Sequence, residues 1–121
     1  MKKRIKSFYY AGKGIKNLIK KESNARLHIV ATILVISAGI IFNVSTIQWI
    51  IIILCIGAVF TTEALNTAIE RLVDLVSPEY NKLAGEVKDI AAGAVLICSI
   101  AAAIAGLLIF IPKIINYDWI F

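Results

Sequence analysis

Apolar side chains along the chain form three long runs, separated by short polar stretches. The runs occupy positions 27–44, 47–60 and 90–111. A helix needs about 20 apolar residues to cross a hydrocarbon core about 30 Å thick, and the first two runs are slightly short of that length. Because the helical pattern of the second run continues past its apolar part, the sequence predicts three membrane helices, at 27–44, 47–76 and 88–111.

Polar, proline and aromatic residues mark the ends of these helices. The uncharged segment 43–46 predicts a short turn between the first two helices. Pro112 is expected to end the third helix, because proline lacks the N–H that continues the hydrogen-bond ladder. Trp49, Trp119 and Tyr117 are expected at the outer membrane interface, where aromatic side chains are enriched.

The segment before the first apolar run has a helical pattern of its own. Its apolar positions recur at steps of three and four, and lysines fill much of the opposite side. This pattern predicts a basic amphipathic helix over 1–25 that lies on the membrane surface. Its apolar face consists of Ile5, Phe8, Tyr9, Gly12, Ile15 and Ile19.

Composition places the chain among membrane proteins. Of its 121 residues, 60% are hydrophobic and only 17% are charged. A soluble domain of this length cannot bury so much apolar surface. The predicted fold is therefore all-α and integral to the membrane, with one domain over 1–121 made of the surface helix and three transmembrane helices.

Charge gives the predicted orientation. Of the 13 lysines and arginines, most precede the first span: Lys2, Lys3, Arg4, Lys6, Lys13, Lys16, Lys20, Lys21 and Arg26. The positive-inside rule then predicts a cytoplasmic N-terminus and an outer turn at 43–46. The net charge of +5 is interpreted as attraction to anionic lipid. No nucleic-acid partner is expected, because the basic residues do not interleave with stacking aromatics on a soluble fold.

The second helix ends in an unusual polar stripe. Glu63, Asn66, Glu70 and Asp74 follow one another at steps of three, four and four, so they share one face of a helix. Counting from Gln48 at the outer interface, Glu63 falls near the inner edge of the hydrocarbon, and Glu70 lies about 10 Å further, within reach of water. A carboxylate at that depth is a functional hypothesis by default.

Several other polar residues are predicted at the same depth, and the residues alone allow three interpretations. Glu22, Lys88 and Asp89 flank the other spans there, while His28 is expected to be an interfacial residue. Carboxylates of this kind hold Mg²⁺ on phosphate groups, and one near lipid can take a proton from an alcohol. From the residues alone, three interpretations of the stripe stay open. It is a solvated helix end without chemistry, part of a cation- or proton-coupled transporter, or the site of a lipid-modifying enzyme.

A longer motif favours the enzyme. The segment 63–70 reads Glu-Ala-Leu-Asn-Thr-Ala-Ile-Glu, with Asp74 one turn later and Lys88-Asp89 at the start of the next span. This arrangement resembles the prokaryotic diacylglycerol kinase family. Val87 stands where that family usually has alanine, a position not expected to take part in chemistry.

The resemblance implies a homotrimeric membrane enzyme that transfers the γ-phosphoryl group of ATP to a lipid alcohol with Mg²⁺. Glu63 would be the general base on the lipid hydroxyl, and Glu22 and Glu70 would hold the metal on the ATP phosphates. Each site would form between neighbouring subunits of the trimer. The trimer would lie in the bacterial cytoplasmic membrane. The implied nucleotide-binding residues are Tyr10, Glu22, Asn66, Glu70, Asp74, Tyr80, Lys88 and Asp89.

Two acceptor lipids are compatible with the resemblance. One subgroup of the family phosphorylates diacylglycerol, and the other phosphorylates undecaprenol. Segments 6–15 and 106–113 are more similar to the undecaprenol kinases. The sequence therefore favours undecaprenol as the acceptor and keeps diacylglycerol as the alternative.

Overall fold

The computed structural model describes residues 1–116, which are almost entirely helical. Four helices follow one another: α1 (Lys2–Lys21), α2 (Ser23–Ile41), α3 (Thr46–Val76) and α4 (Lys82–Ile115). Helices α2, α3 and α4 are each long and apolar enough to cross a membrane. The all-α class and the three membrane-capable helices are therefore confirmed. Trp119 and Tyr117 lie outside the described residues.

The junction between α1 and α2 is a single residue. Glu22 has an extended backbone (φ −105°, ψ 118°), so the first helix ends at Lys21 and the next begins directly afterwards. The Arg26 side chain donates hydrogen bonds to the carbonyl oxygens of Ile19 (3.1 Å) and Lys20 (2.8 Å). It thereby supplies partners that the last turn of a helix otherwise lacks. This cap explains why α1 stops before residue 25.

The polar turn between α2 and α3 forms where the sequence predicts it. Asn43 has a φ of 49°, a left-handed conformation that asparagine tolerates better than most residues. Ser45 then starts α3 with a reciprocal cap: its hydroxyl accepts from the Gln48 N–H (3.2 Å), and the Gln48 side chain accepts from the Ser45 N–H (3.0 Å). Helix α2 consequently ends at Ile41, three residues before the predicted boundary.

Helix α4 is longer at both ends than the sequence suggests. It begins at Lys82, because the Asn81 side chain accepts a hydrogen bond from the Ala84 N–H at 3.1 Å and caps the first turn. The expectation that Pro112 ends this helix is wrong. Proline costs only the bond to the carbonyl four residues earlier, and the turn after it closes through the Asn116 N–H and the Pro112 carbonyl (3.1 Å).

The buried apolar core lies near the α2–α3 turn, at one end of the helices. It consists of Val44, Ile52 and Ile109, with Val35, Trp49, Ile56 and Phe110 packed against it. Gly39 lies directly against α3, because a Cβ there would lie 2.6 Å from the Trp49 ring. The two helices therefore meet closely at the turn.

Most of the remaining apolar surface faces outward. Large side chains along all three membrane-capable helices, such as Ile33, Leu54 and Leu108, are exposed in the single chain. In water such a surface would be costly, whereas lipid tails or other apolar helices can cover it. The exposed surface therefore agrees with a membrane protein.

Candidate active site

The polar stripe on α3 changes from buried to exposed along its length. Glu63 is only 2% exposed and Asn66 is also buried, whereas Glu70 is half-buried and Asp74 is exposed. Because all four side chains project from one rigid helix, their spacing is fixed by helix geometry. The stripe thus joins a sheltered carboxylate to carboxylates that a solute can reach.

Three buried polar atoms at the start of the stripe and beside it have no hydrogen-bond partner within residues 1–116. They are Oε2 of Glu63, Oδ1 of Asn66 and Oγ1 of Thr67. An unsatisfied buried polar atom costs about 1–3 kcal/mol, so proteins keep few of them. Their clustering on a single turn of helix indicates a site whose partners come from outside this chain's own packing.

Glu63 does have one titratable neighbour. His28 on α2 places its Nε2 atom 3.7 Å from Oε2 of Glu63, and its side chain is 20% exposed. The imidazole also meets the ring of Phe60 edge-on, with centroids 6.0 Å apart. His28 is therefore turned toward the stripe, although the sequence suggested only an interfacial residue.

A second contact joins the α1–α2 junction to α3. Arg71 lies 3.4 Å from the Glu22 carboxylate and donates a 2.7 Å hydrogen bond to the Asn17 side chain. Because Arg71 directly follows Glu70 on α3, this contact brings Glu22 to the level of Glu70. Both predicted metal-binding carboxylates therefore lie at one level of the molecule.

A groove of about 560 Å³ runs between α1 and α3 beside this contact. Lys13 and Arg71 give it two cationic groups, and Thr67 adds its unpaired hydroxyl. Cationic donors of this kind suit phosphate oxygens. Lys13, Arg71 and Thr67 were not among the site residues predicted from the sequence, although Thr67 lies one helical turn after Glu63.

Lys88 connects α4 to the stripe. Its ammonium group donates a hydrogen bond to the Asp74 carboxylate, and Glu70 adds to the negative charge around it. The side chains are 37% and 65% exposed for Lys88 and Asp74, so water screens the pair. The contact therefore places a cation at the exposed end of the stripe, beside Asp74, and contributes little to the free energy of unfolding.

Three predicted nucleotide-binding residues are not brought to the stripe within one chain. Tyr10 on α1 packs edge-on against Tyr9, with centroids 5.4 Å apart, and remains largely exposed. Tyr80 is 95% exposed in the link before α4. Asp89 is exposed and makes no hydrogen bond or ion pair within the described part of the chain. A single chain therefore presents an incomplete version of the predicted site.

The carboxylates suit a metal shared with a substrate better than a metal held by protein alone. In the part of the chain that the structure describes, no group of three or more His, Cys, Asp or Glu side chains is close enough to hold an ion. Mg²⁺ commonly takes one or two carboxylates and completes its shell with water and substrate phosphates. Glu22 and Glu70, both half-buried and both hard oxygen donors, fit that arrangement.

Known proteins with similar sequences identify the enzyme class. The family model described as prokaryotic diacylglycerol kinase matches residues 9–110. An undecaprenol kinase of Bacillus subtilis (strain 168) is 44% identical over 110 residues, which is 91% of this chain and 89% of that protein. The diacylglycerol kinase of Escherichia coli (strain K12) is 35% identical over 100 residues, which is 83% of this chain and 82% of that protein.

A third relative, a diacylglycerol kinase of Synechocystis, is 37% identical over 91% of this chain and 63% of its own length. All three relatives carry the name of a lipid kinase, so the resemblance and the enzyme class expected from the sequence are confirmed. The ion-coupled transporter receives no support. Because the family model matches most of the chain, from residue 9 to residue 110, the chain belongs to the prokaryotic diacylglycerol kinase family.

Proposed function

We propose that this protein transfers the γ-phosphoryl group of ATP to the hydroxyl of undecaprenol, with Mg²⁺, as a homotrimer in the bacterial cytoplasmic membrane. The observation that carries the proposal is the buried carboxylate of Glu63, whose Oε2 accepts no hydrogen bond within residues 1–116, two turns from the half-buried Glu70 on the same face of α3. One end of the stripe suits a lipid hydroxyl, and the other suits a water-soluble nucleotide.

In this mechanism Glu63 is the general base. Its carboxylate takes the proton of the lipid hydroxyl while the hydroxyl oxygen forms a bond to the γ-phosphorus of ATP. The bond from that phosphorus to the bridging oxygen breaks, and ADP leaves with the electron pair. The sheltered carboxylate accepts no hydrogen bond within residues 1–116, so it has an oxygen free to accept such a proton.

The nucleotide is proposed to bind beyond Glu63, toward the cytoplasm. Glu22 and Glu70 would hold Mg²⁺, which neutralises charge on the phosphates when bound. Lys88 offsets charge on the transferred group and is held for that task by Asp74. Asn66 offers an unpaired amide oxygen, while Asp89, Tyr10 and Tyr80 are proposed as further nucleotide contacts.

Undecaprenol is preferred as the acceptor because the undecaprenol kinase of Bacillus subtilis is 44% identical to this chain. The diacylglycerol kinases of Synechocystis and Escherichia coli are less similar, at 37% and 35%. Diacylglycerol is kept as the second candidate, since these enzymes share the same motif family. Both lipids present a primary hydroxyl on a long apolar body, so the same base serves either acceptor.

Exposure and charge support the assembly and its orientation. Asp89 and Tyr80 have no polar partner among the described residues of their own chain, which suits residues that complete a neighbouring subunit's site. The exposed apolar faces of α2, α3 and α4 provide surface for contacts between subunits. The basic helix α1 is proposed to lie on the cytoplasmic surface, where anionic lipid attracts its lysines.

The test is a transfer assay in bilayers with purified protein, radiolabelled ATP and Mg²⁺. Undecaprenol and diacylglycerol are offered in parallel, and labelled undecaprenyl phosphate is expected to form faster. Glu63→Gln is expected to lower turnover by at least about 100-fold while ATP still binds, because it removes the base and keeps the shape. Glu79→Gln, the same change in the exposed link before α4, is the control.

Two results would contradict the proposal. No labelled product from either lipid would reject the kinase activity. Turnover of Glu63→Gln close to that of the wild type would reject Glu63 as the base. Faster labelling of diacylglycerol would instead select the second acceptor.

A further inference from the structure

The environment of His28 carries an inference about how Glu63 is held. The Oε2 atom of Glu63 is buried and has no hydrogen-bond partner within residues 1–116, and Nε2 of His28 lies 3.7 Å away. A hydrogen bond between nitrogen and oxygen needs about 3 Å, so a small side-chain rotation closes the gap. Within residues 1–116 the Glu63 carboxylate accepts no hydrogen bond, and the imidazole of His28 is its one ion-pair partner.

The imidazole is oriented by α3 itself. Phe60, one turn before Glu63, meets the His28 ring at an interplanar angle of 72° and a centroid distance of 6.0 Å. Edge-on packing of this kind favours one ring orientation over others. Helix α3 therefore fixes the ring with one side chain and presents the carboxylate with the next turn.

His28 also borders the apolar part of the molecule. It lines a cavity of about 510 Å³ between α2, α3 and α4, together with Phe60, Cys55 and Gly106. Glu63 is not part of that lining. The imidazole is thus the polar group that touches both the apolar cavity and the buried carboxylate.

We propose that His28 is a positioning residue for Glu63. Its Nε2–H donates a hydrogen bond to Oε2, which leaves the other carboxylate oxygen to accept the proton of the lipid hydroxyl. The proton of His28 stays on Nε2 throughout, and the hydroxyl proton ends on Glu63 as the oxygen–phosphorus bond forms. This inference rests on the proposed function, in which Glu63 is the base.

The alternative is that His28 has only a packing role and fills space between α2 and α3. Three variants separate the two roles. His28→Leu keeps an apolar body of similar bulk and removes the donor. His28→Gln carries an N–H donor at nearly the position of Nε2, whereas His28→Asn is one methylene too short to reach Glu63. Ser37→Ala, an exposed position on the same helix whose hydroxyl bonds only the Ile33 carbonyl, is the control.

The measurement is the kcat and the KM for ATP of each variant in the bilayer transfer assay, with thermal unfolding recorded alongside. A misplaced catalytic group costs up to about 100-fold in rate, so His28→Leu and His28→Asn are expected to lower kcat by roughly 10- to 100-fold with an unchanged KM for ATP. His28→Gln is expected to retain kcat within about ten-fold of the wild type, as a rescue by the restored donor.

Two outcomes would overturn the inference. A kcat for His28→Leu within about two-fold of the wild type would show that the donor is not needed. Equal losses in the Gln and Asn variants would show that packing matters and the donor does not, and this comparison holds even where the Leu variant fails to fold. Glu63→Gln in the same assay separates the two proposals: if it stays active, the base assignment fails, and if it is inactive while His28→Leu is normal, only the role of His28 fails.

Discussion

Arg71 on α3 holds the carboxylate of Glu22, with 3.4 Å between Nη2 and Oε1. The same guanidinium donates to the Asn17 side chain at 2.7 Å, so one residue of α3 holds both the last part of α1 and the junction residue Glu22. The two charged side chains are 47% and 32% exposed, and ion pairs of that kind contribute little to stability. The contact instead positions Glu22, because it ties this carboxylate to Arg71, the residue that follows Glu70 on α3.

Replacing Arg71 by Gln is therefore expected to raise the Mg²⁺ concentration needed for half-maximal turnover by several-fold. The glutamine amide is shorter and uncharged, so Glu22 loses the ion pair that ties it to α3 next to Glu70 in the chain, and the proposed metal ligand is held less firmly. A Mg²⁺ titration of initial rates checks this, with Glu70→Gln as the reference for loss of a ligand. A lower Mg²⁺ requirement would contradict the prediction, since it would mean that Arg71 competes with the metal for Glu22.

The pair between Asp74 and Lys88 gives a second prediction. Exchanging the two charges, as Asp74→Lys with Lys88→Asp, keeps an ion pair between α3 and α4 but moves the cation to the other helix. We expect the exchanged protein to fold normally and to stay below about one hundredth of wild-type turnover, because the cation no longer lies where Lys88 offsets phosphoryl charge. Recovery of turnover in the exchanged protein would show that the pair is only structural.

The unpartnered Asp89 gives a third prediction, which tests the shared site. Glu63→Gln and Asp89→Asn are expected to be inactive alone. If each site combines Glu63 of one subunit with Asp89 of its neighbour, trimers reconstituted from an equal mixture should recover about a quarter of wild-type activity, because a quarter of the sites then hold two intact residues. Activity is measured after the mixed chains are refolded together into bilayers, and its complete absence would place both residues in one subunit's site.

The close approach of Gly39 to Trp49 gives a fourth prediction, on stability. A methyl group at Gly39 would lie 2.6 Å from the Trp49 ring, a rigid neighbour that cannot move without disturbing the core. Gly39→Ala is expected to destabilise the protein by about 1–3 kcal/mol, as overpacking usually does. Gly57→Ala is the matched control on α3, since nothing in the described part of the chain lies within 4 Å of its added Cβ.

Thermal unfolding in detergent measures both variants. Gly57→Ala should unfold at or slightly above the wild-type temperature, because alanine favours helix over glycine by about 1 kcal/mol. A melting temperature for Gly39→Ala equal to that of the wild type would show that the α2–α3 contact relaxes at no cost.

Helix periodicity and residue counting were enough to predict the helices and the polar stripe on α3. The steps between Glu63, Asn66, Glu70 and Asp74 depend only on local helix geometry, so the amino-acid sequence alone was enough to predict the stripe. The depth of Glu63, near the hydrocarbon edge, comes from residue counting along one helix and stays a prediction. The polar turn at 43–46 was also predictable, because asparagine and serine there have local reasons to break and cap helices.

What the sequence did not reveal depends on contacts between helices. His28 and Glu63 lie 35 residues apart on α2 and α3, and no periodic pattern links them. The end of α1 depends on Arg26 reaching back to Ile19 and Lys20, a tertiary detail in a stretch without proline or glycine. The prediction that Pro112 ends α4 was wrong, because a helix tolerates the loss of one hydrogen bond near its end.

The single extended residue between α1 and α2 has a mechanical consequence. When two rods joined at a point change their angle, the point of junction moves less than any other part of either rod. Glu22 occupies that point, and Arg71 fastens it to α3. We therefore expect a change in the angle between α1 and α2 to displace Glu22 less than the far end of α1, because Arg71 holds both Glu22 and the nearby Asn17 to α3.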